Sequence, residues 1–183
     1  MNSIRISGGN LKGKKVYFDF NDSLRPTSNK LREILFNWIH FEFKQGFECL
    51  DLFAGTGAIG FEAISRNANK VTFIELNKKH YLNIKKNISK LGLQDCSKIF
   101  FKDAFSWISK NDLSNFDLII IDPPFNMQLE EKILKKIISK NELKKSCKIY
   151  LEFSKFSEIE VPSRLKILKE KKLGDVKALL LEI

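Results

Sequence analysis

Phe116-Asp117-Leu118-Ile119-Ile120-Ile121-Asp122-Pro123-Pro124-Phe125 is the stretch that decides the fold class. The run 116–121 predicts a strand buried on both faces, the kind found inside parallel sheets. An acid, two prolines and an aromatic then follow at its carboxyl end, where open α/β sheets bind ligands. Asp122 offers carboxylate oxygens. Pro123 and Pro124 fix φ and carry no N–H, so the turn presents carbonyl acceptors. Phe125 adds a flat apolar face. The set suits a planar group bearing an exocyclic amine.

Strand and helix patterns alternate on both sides of this stretch. Strands are predicted at Cys49 to Phe53, Val71 to Glu75, Ile99 to Phe101 and Ile149 to Phe153. A Gly-rich turn opens a helix ending near Asn67. Tyr81, Ile84, Ile88 and Leu91 mark a second helix face, with Gly92 as its C-cap. A short helix falls around Phe105 to Ile108, and another carries Ile133, Leu134, Ile137 and Ile138. Repeated βα units predict a parallel sheet with helices on both faces. Late strands at 164–168 and 177–183, with no helix between them, predict an antiparallel edge.

The chain divides at about residue 46. Upstream, residues 1–45 predict a small β-hairpin, from Ile4-Arg5-Ile6 and Val16-Tyr17-Phe18 around turn-forming glycines. An amphipathic helix follows, with Leu31, Ile34, Leu35, Trp38 and Ile39 on its apolar face and Thr27 or Ser28 as N-cap. Residues 46–183 form the alternating core. Trp38 and Trp107 fall on apolar helix faces and are expected in the core.

A second motif, Asp51-Leu52-Phe53-Ala54-Gly55-Thr56-Gly57-Ala58-Ile59-Gly60, sits on the first core strand. Gly55, Gly57 and Gly60 match the dinucleotide fingerprint, and a turn of this type lets the backbone approach a ligand closely. Glu75 ends the next strand, from which an acid binds ribose hydroxyls. The pattern specifies an adenosine-type cofactor held by Asp51, Phe53, Ala54, Gly55, Thr56, Gly57, Glu75 and Leu76. Two features favour S-adenosylmethionine over NAD. Asp51 is placed to pair with a cationic amino-acid group that NAD lacks. Asp103 and Ala104, after the third core strand, offer a carboxylate for the adenine amine and an N–H facing the ring.

Composition narrows the partner class. The 183 residues carry a net charge of +10, and residues 1–32 hold seven basic side chains against two acids, or +5 of that total. Such a segment attracts phosphate backbones. Arg5, Lys12, Lys14 and Lys15 are candidate phosphate contacts, and Arg25 and Thr27 candidates for the nucleic-acid or cofactor side. No apolar stretch approaches a membrane span and no signal-peptide core is present, so a cytoplasmic protein is expected. Cys49, Cys96 and Cys147 lack metal-ligand spacing and read as reduced, buried thiols. With two histidines, His40 and His80, no metal site is expected.

The Asp51, Gly55-x-Gly57, Glu75 and Asp103 series resembles that of class I methyltransferases, and Asp122-Pro123-Pro124-Phe125 resembles the motif of amino-methyltransferases. Arg5-Ile6-Ser7-Gly8-Gly9, Lys12-Gly13-Lys14, Leu24-Arg25-Pro26-Thr27 and Arg32-Glu33-Ile34-Leu35-Phe36-Asn37 look like the RsmD family. The resemblance implies a Rossmann-like fold with a mostly parallel seven-stranded sheet. It also implies S-adenosylmethionine-dependent methylation of a guanine N2 amine in 16S ribosomal RNA, within the small subunit or an assembly intermediate. A monomer is expected. In that chemistry Asp122 and the Pro123 carbonyl bind the amine N–H groups, and Phe125 stacks on a base rotated out of its helix. The Asp-Pro-Pro-Phe motif alone does not choose guanine over adenine, so an adenine methyltransferase stays open. A non-enzymatic RNA-binding protein on a degenerate methyltransferase fold is the alternative of another class. With only about 45 residues outside the core, specificity is expected to come from the shape of a folded RNA.

Overall fold

The computed structural model describes residues 2–19, 28–43, 46–124, 129–140 and 142–183. A hairpin comes first, pairing β1 (Asn2–Arg5) antiparallel with β2 (Lys15–Phe18). Then follow α1 (Asn29–Ile39), β3 (Phe47–Asp51), α2 (Ala58–Ser65), β4 (Ala68–Glu75), α3 (Lys78–Leu91), β5 (Ser97–Phe101) and α4 (Ala104–Lys110). The chain continues through β6 (Leu118–Ile121), α5 (Glu130–Ile138), β7 (Lys148–Ser154), β8 (Lys166–Leu173) and β9 (Val176–Glu182). The seven-stranded sheet has the order β5-β4-β3-β6-β7-β9-β8. β3 to β7 are parallel, and β9 runs antiparallel between β7 and β8. This is the parallel sheet with an antiparallel edge expected from the alternation, and the Rossmann-like fold implied by the resemblance.

Side chains alternate along each buried strand and divide the core in two. Cys49, Val71, Phe73, Leu118, Ile120 and Tyr150 meet α1, α2 and α3 on one face. Leu50, Ile74, Ile119, Ile121, Ile149 and Leu151 meet α4 and α5 on the other. Local signals set most helix ends. The Ser28 hydroxyl accepts from the Leu31 N–H at 3.1 Å, which makes Ser28 the cap of α1. Gly92 closes α3 at φ +68°. Gly60 permits a close helix–sheet contact, since a Cβ there would stand 2.1 Å from the Phe73 ring. Thr27 lies outside the described residues. The strand expected at 164–168 begins at Lys166 and runs on to Leu173; its exposed Lys166, Lys169, Lys171 and Lys172 discourage pairing at the sheet edge. Cys49 and Cys147 are buried, whereas Cys96 is half-buried in the turn between α3 and β5; all three are free thiols.

The hairpin is fastened to the core by polar contacts. Glu62, on α2, accepts the Ser7 N–H, the Ser7 hydroxyl and the Gly8 N–H at 2.7–2.9 Å, and pairs with Arg66. Ser65 accepts the Leu11 N–H, and Asn87 on α3 exchanges two hydrogen bonds with the Tyr17 backbone. Gly9, at φ +75°, leaves no room for a side chain against the Ser65 carbonyl. Ile6 and Val16 enter the same apolar cluster as α1 and α2. Burial pushes the Glu62 carboxyl up, but the Ser7 donors and Arg66 outweigh it and hold it below the usual carboxylate range. Replacing Glu62 leaves those donors unmatched. Glu62→Ala is expected to lower unfolding free energy by about 2–4 kcal/mol in urea titration and to open residues 2–18 to limited proteolysis.

Candidate active site

Strand order reverses between β3 and β6. β4 and β5 extend the sheet on one side of β3, while β6 and β7 extend it on the other. Ligands bind outside the carboxyl ends of strands at such a switch point. Three of the acids expected from sequence, Asp51, Glu75 and Asp122, meet there. Asp51 ends β3 and is 2% exposed. It pairs in register with Ile120 of β6, so Asp122 stands two residues farther along the neighbouring strand. On the opposite side Asp51 pairs with Phe73, and Glu75 stands two residues beyond that.

This proximity has an electrostatic consequence. Burial, then the charges of Asp122 and Glu75, raise the Asp51 carboxyl to about 8, with backbone hydrogen bonds from Gly60 and Phe53 acting the other way. Glu75 anchors the glycine loop: one oxygen accepts the Gly55 N–H at 2.7 Å and the other the Asn77 N–H at 2.6 Å. Gly57 lies at φ +78° and starts α2 without a side-chain cap; a Cβ there would approach the Phe61 ring at 2.8 Å. The loop thus brings bare backbone to the carboxyl edge. Phe53, Ala54 and Thr56 lie along the same turn, with Ala54 N–H donating to the Ile74 carbonyl.

The remaining predicted residues are placed unevenly. Leu76 follows Glu75 and is 63% exposed, an apolar side chain open to solvent at the ligand edge. Asp103 caps α4 through Ser106 N–H at 2.9 Å, which engages one of its oxygens, and Ala104 is buried behind it. Pro123 is buried and Pro124 exposed. Phe125, Arg25 and Thr27 lie outside the described residues. Arg5, Lys12, Lys14 and Lys15 are exposed on the hairpin. The hairpin turn meets the carboxyl end of α2, through Asn10 N–H and the Ser65 carbonyl, whereas the glycine loop lies at the other end of that helix. Eight residues of helix separate them by about 12 Å, so these basic side chains are not brought to the acids. A cleft of about 470 Å³ bordered by Glu48, Lys70, Lys98 and Trp107 opens at the opposite, amino edge of the sheet. Among the described residues no cluster of potential metal ligands occurs.

One acid at this edge is not among the expected site residues. Glu152, on β7, is 2% exposed and accepts the Tyr150 hydroxyl at 2.7 Å. A single acid inside the apolar run Ile149 to Phe153 does not disturb the strand pattern, and only the registration of β7 beside β6 reveals its neighbour.

The Asp51 carboxyl titrates higher in the folded chain than in the unfolded one. Its contribution to stability is therefore complete below the unfolded value near 3.8 and is lost as pH rises through about 8. Asn does not titrate. The stability of Asp51→Asn relative to the parent is accordingly expected to rise between pH 4 and pH 8, by no more than about 1.4 kcal/mol per pH unit. Melting temperatures from differential scanning fluorimetry across that range check the sign.

Comparison with known proteins places the whole chain in one family. The family model described as "Conserved hypothetical protein 95" matches residues 4–182. Ribosomal RNA small subunit methyltransferase D of Buchnera aphidicola is 40% identical over 168 residues, covering 92% of this chain and 87% of the relative. The protein of that name from Escherichia coli is 33% identical over 178 residues, covering 94% and 86%. The solved structure of yhhF from Escherichia coli superposes with a TM-score of 0.87 at 31% identity, covering 99% of this chain and 98% of the other. The family match over residues 4–182 and the identities of 33–40% over nearly the whole length establish that the chain belongs to the family of ribosomal RNA small subunit methyltransferase D.

Proposed function

We propose that the chain transfers a methyl group from S-adenosylmethionine to the exocyclic N2 amine of a guanine in 16S ribosomal RNA, within the small ribosomal subunit or an assembly intermediate. The observation that carries the reading is the placement of Asp51 and Asp122 on neighbouring strands across the switch point. This sets a cofactor acid directly beside a substrate acid.

The residues fit S-adenosylmethionine. Asp51 is a buried acid whose charged neighbours are themselves acids, an environment that favours an incoming ammonium. Glu75, already ordered by Gly55 and Asn77, has lone pairs left for ribose hydroxyls. Leu76 offers an apolar surface to the adenine, Asp103 its second oxygen to the adenine amine, and the Ala104 N–H the ring edge. When bound, the cofactor supplies a methyl group activated on sulfonium.

A guanine amine is a weak nucleophile because its lone pair is delocalised into the ring. The Asp122 carboxylate and the Pro123 carbonyl accept its two N–H groups, favour the pyramidal nitrogen and hold it in line for transfer. Phe125 supplies a stacking face for the rotated base. Arg5, Lys12, Lys14 and Lys15 contact phosphates at a distance from the reacting base, so they position the RNA without reading it. Arg25 and Thr27, which precede α1 in the sequence, serve the RNA or cofactor side. The protein works as a monomer in the cytoplasm.

Incubation with small-subunit particles and labelled S-adenosylmethionine, followed by nucleoside analysis, is expected to yield N2-methylguanosine; methyladenosine in its place would overturn the guanine assignment. Asp122→Ala is expected to abolish turnover while calorimetry still registers cofactor binding. The triple change Lys12→Ala, Lys14→Ala, Lys15→Ala is expected to weaken RNA binding and to reduce the slope of log affinity against log salt by about 0.7–0.9 for each phosphate that is no longer neutralised.

A further inference from the structure

Tyr150 and Glu152 form a pair that methyl transfer as derived above does not use. They are two residues apart on β7, face the same side of the sheet and are both buried. The Tyr150 hydroxyl donates to Glu152 Oε1 at 2.7 Å. Trp38 from α1 packs edge-on against the Tyr150 ring, 6.5 Å between centroids. The parallel register of β6 and β7 matches Ile120 with Tyr150 and Ile121 with Leu151. The next residues along are Asp122 and Glu152, so the two acids stand level on neighbouring strands, whose backbones are about 4.8 Å apart. On its other side Glu152 is matched with Ala178 of β9. Among the described residues, the titratable groups facing Glu152 are therefore Asp122, just past β6, and Tyr150 from its own strand. β9 contributes a methyl group, and α1 an indole against the Tyr150 ring. Among the described residues no Lys or Arg forms an ion pair with Glu152.

Two adjacent carboxyl groups at a buried strand end do not both ionise readily. Burial first, and then the Asp122 charge, hold the Glu152 carboxyl well above its usual range, with the Tyr150 hydrogen bond pulling the other way. Asp122 is the less buried of the two, so charge costs less there than on Glu152. A protonated Glu152 keeps one oxygen for the Tyr150 hydroxyl and has an O–H to donate from the other.

Resting on the methyl-transfer reading above, we propose that Glu152, clamped by Tyr150, is a positioning residue: a neutral carboxylic acid that holds Asp122 as the ionised acceptor for the substrate amine. A purely structural Glu152 would serve only as an acceptor for Tyr150, and Asp122 would be indifferent to it.

Carboxyl ¹³C NMR of the full chain tests the pairing without turnover. Glu152 is expected to remain protonated at pH 7, and its titration midpoint is expected to fall by at least about one pH unit in Asp122→Asn, where the like charge is gone. In turnover with small-subunit particles at saturating cofactor, Glu152→Leu is expected to lower kcat by about tenfold or more with the Kd for S-adenosylmethionine unchanged. Glu152→Gln is expected to rescue kcat to within a few-fold and to remove the alkaline limb of the pH profile. A Glu152 carboxyl titrating in the ordinary range, a midpoint unmoved by Asp122→Asn, or wild-type kcat in Glu152→Leu would each overturn the proposal. Should Glu152→Leu fail to fold, the two NMR titrations decide. Absence of turnover by the parent protein counts against the guanine reading, and the NMR titrations still decide whether Glu152 and Asp122 are paired.

Discussion

A parallel sheet covered on both faces leaves few places for charge. Inside β3, β4, β6 and β7 most side chains are apolar and pack against a helix or another strand, so the acids collect toward the strand ends. Here Glu75, Asp51, Asp122 and Glu152 occupy the carboxyl ends of four strands that are consecutive in the sheet. Their mutual repulsion is the organising constraint of the site. Burial first, and then this repulsion, raises Asp51 and Glu152 and leaves the edge receptive to cations and N–H donors. The glycine loop answers the same constraint, since Gly55 N–H is one of the few donors that reaches this row directly.

Much of this arrangement is legible in the sequence because it depends on short spacings. Asp51 to Gly60 combines a strand end, a turn and a helix start within ten residues, and each has its own local signal. Asp122-Pro123-Pro124 is similar, since the prolines stop the strand where the acid must stand. The cap at Ser28 and the αL residue at Gly92 are also local. Long-range partners are not legible in this way. Ser7-Gly8-Gly9 looks like part of a basic, substrate-facing segment, yet its backbone is held by Glu62 and Ser65, more than fifty residues away. Glu152 is hidden for the same reason. Its significance lies in the registration of one strand against another, and an isolated acid in an apolar run carries no period.

The hairpin also separates two roles that the N-terminal segment combines. Its basic residues are exposed, while its turn closes on the carboxyl end of α2. That helix begins at Gly57, in the glycine loop. A single two-turn helix thus links the surface that carries positive charge to the edge that carries the acids. Rigidity of α2 sets the distance between them, and its buried Phe61, packed on Phe73, resists sliding along the sheet.

The same latch has a temporal meaning. Ser7 waits for Glu62 across 55 positions and Tyr17 for Asn87 across 70. During synthesis the N-terminal residues emerge first, but their hydrogen-bonding partners do not exist until α2 and α3 have left the ribosome. Two four-residue strands are too short to persist alone in water. The hairpin therefore cannot nucleate the fold and docks only on a core that has already formed. The positively charged hairpin lacks its full set of docking partners until the chain has been made through Asn87.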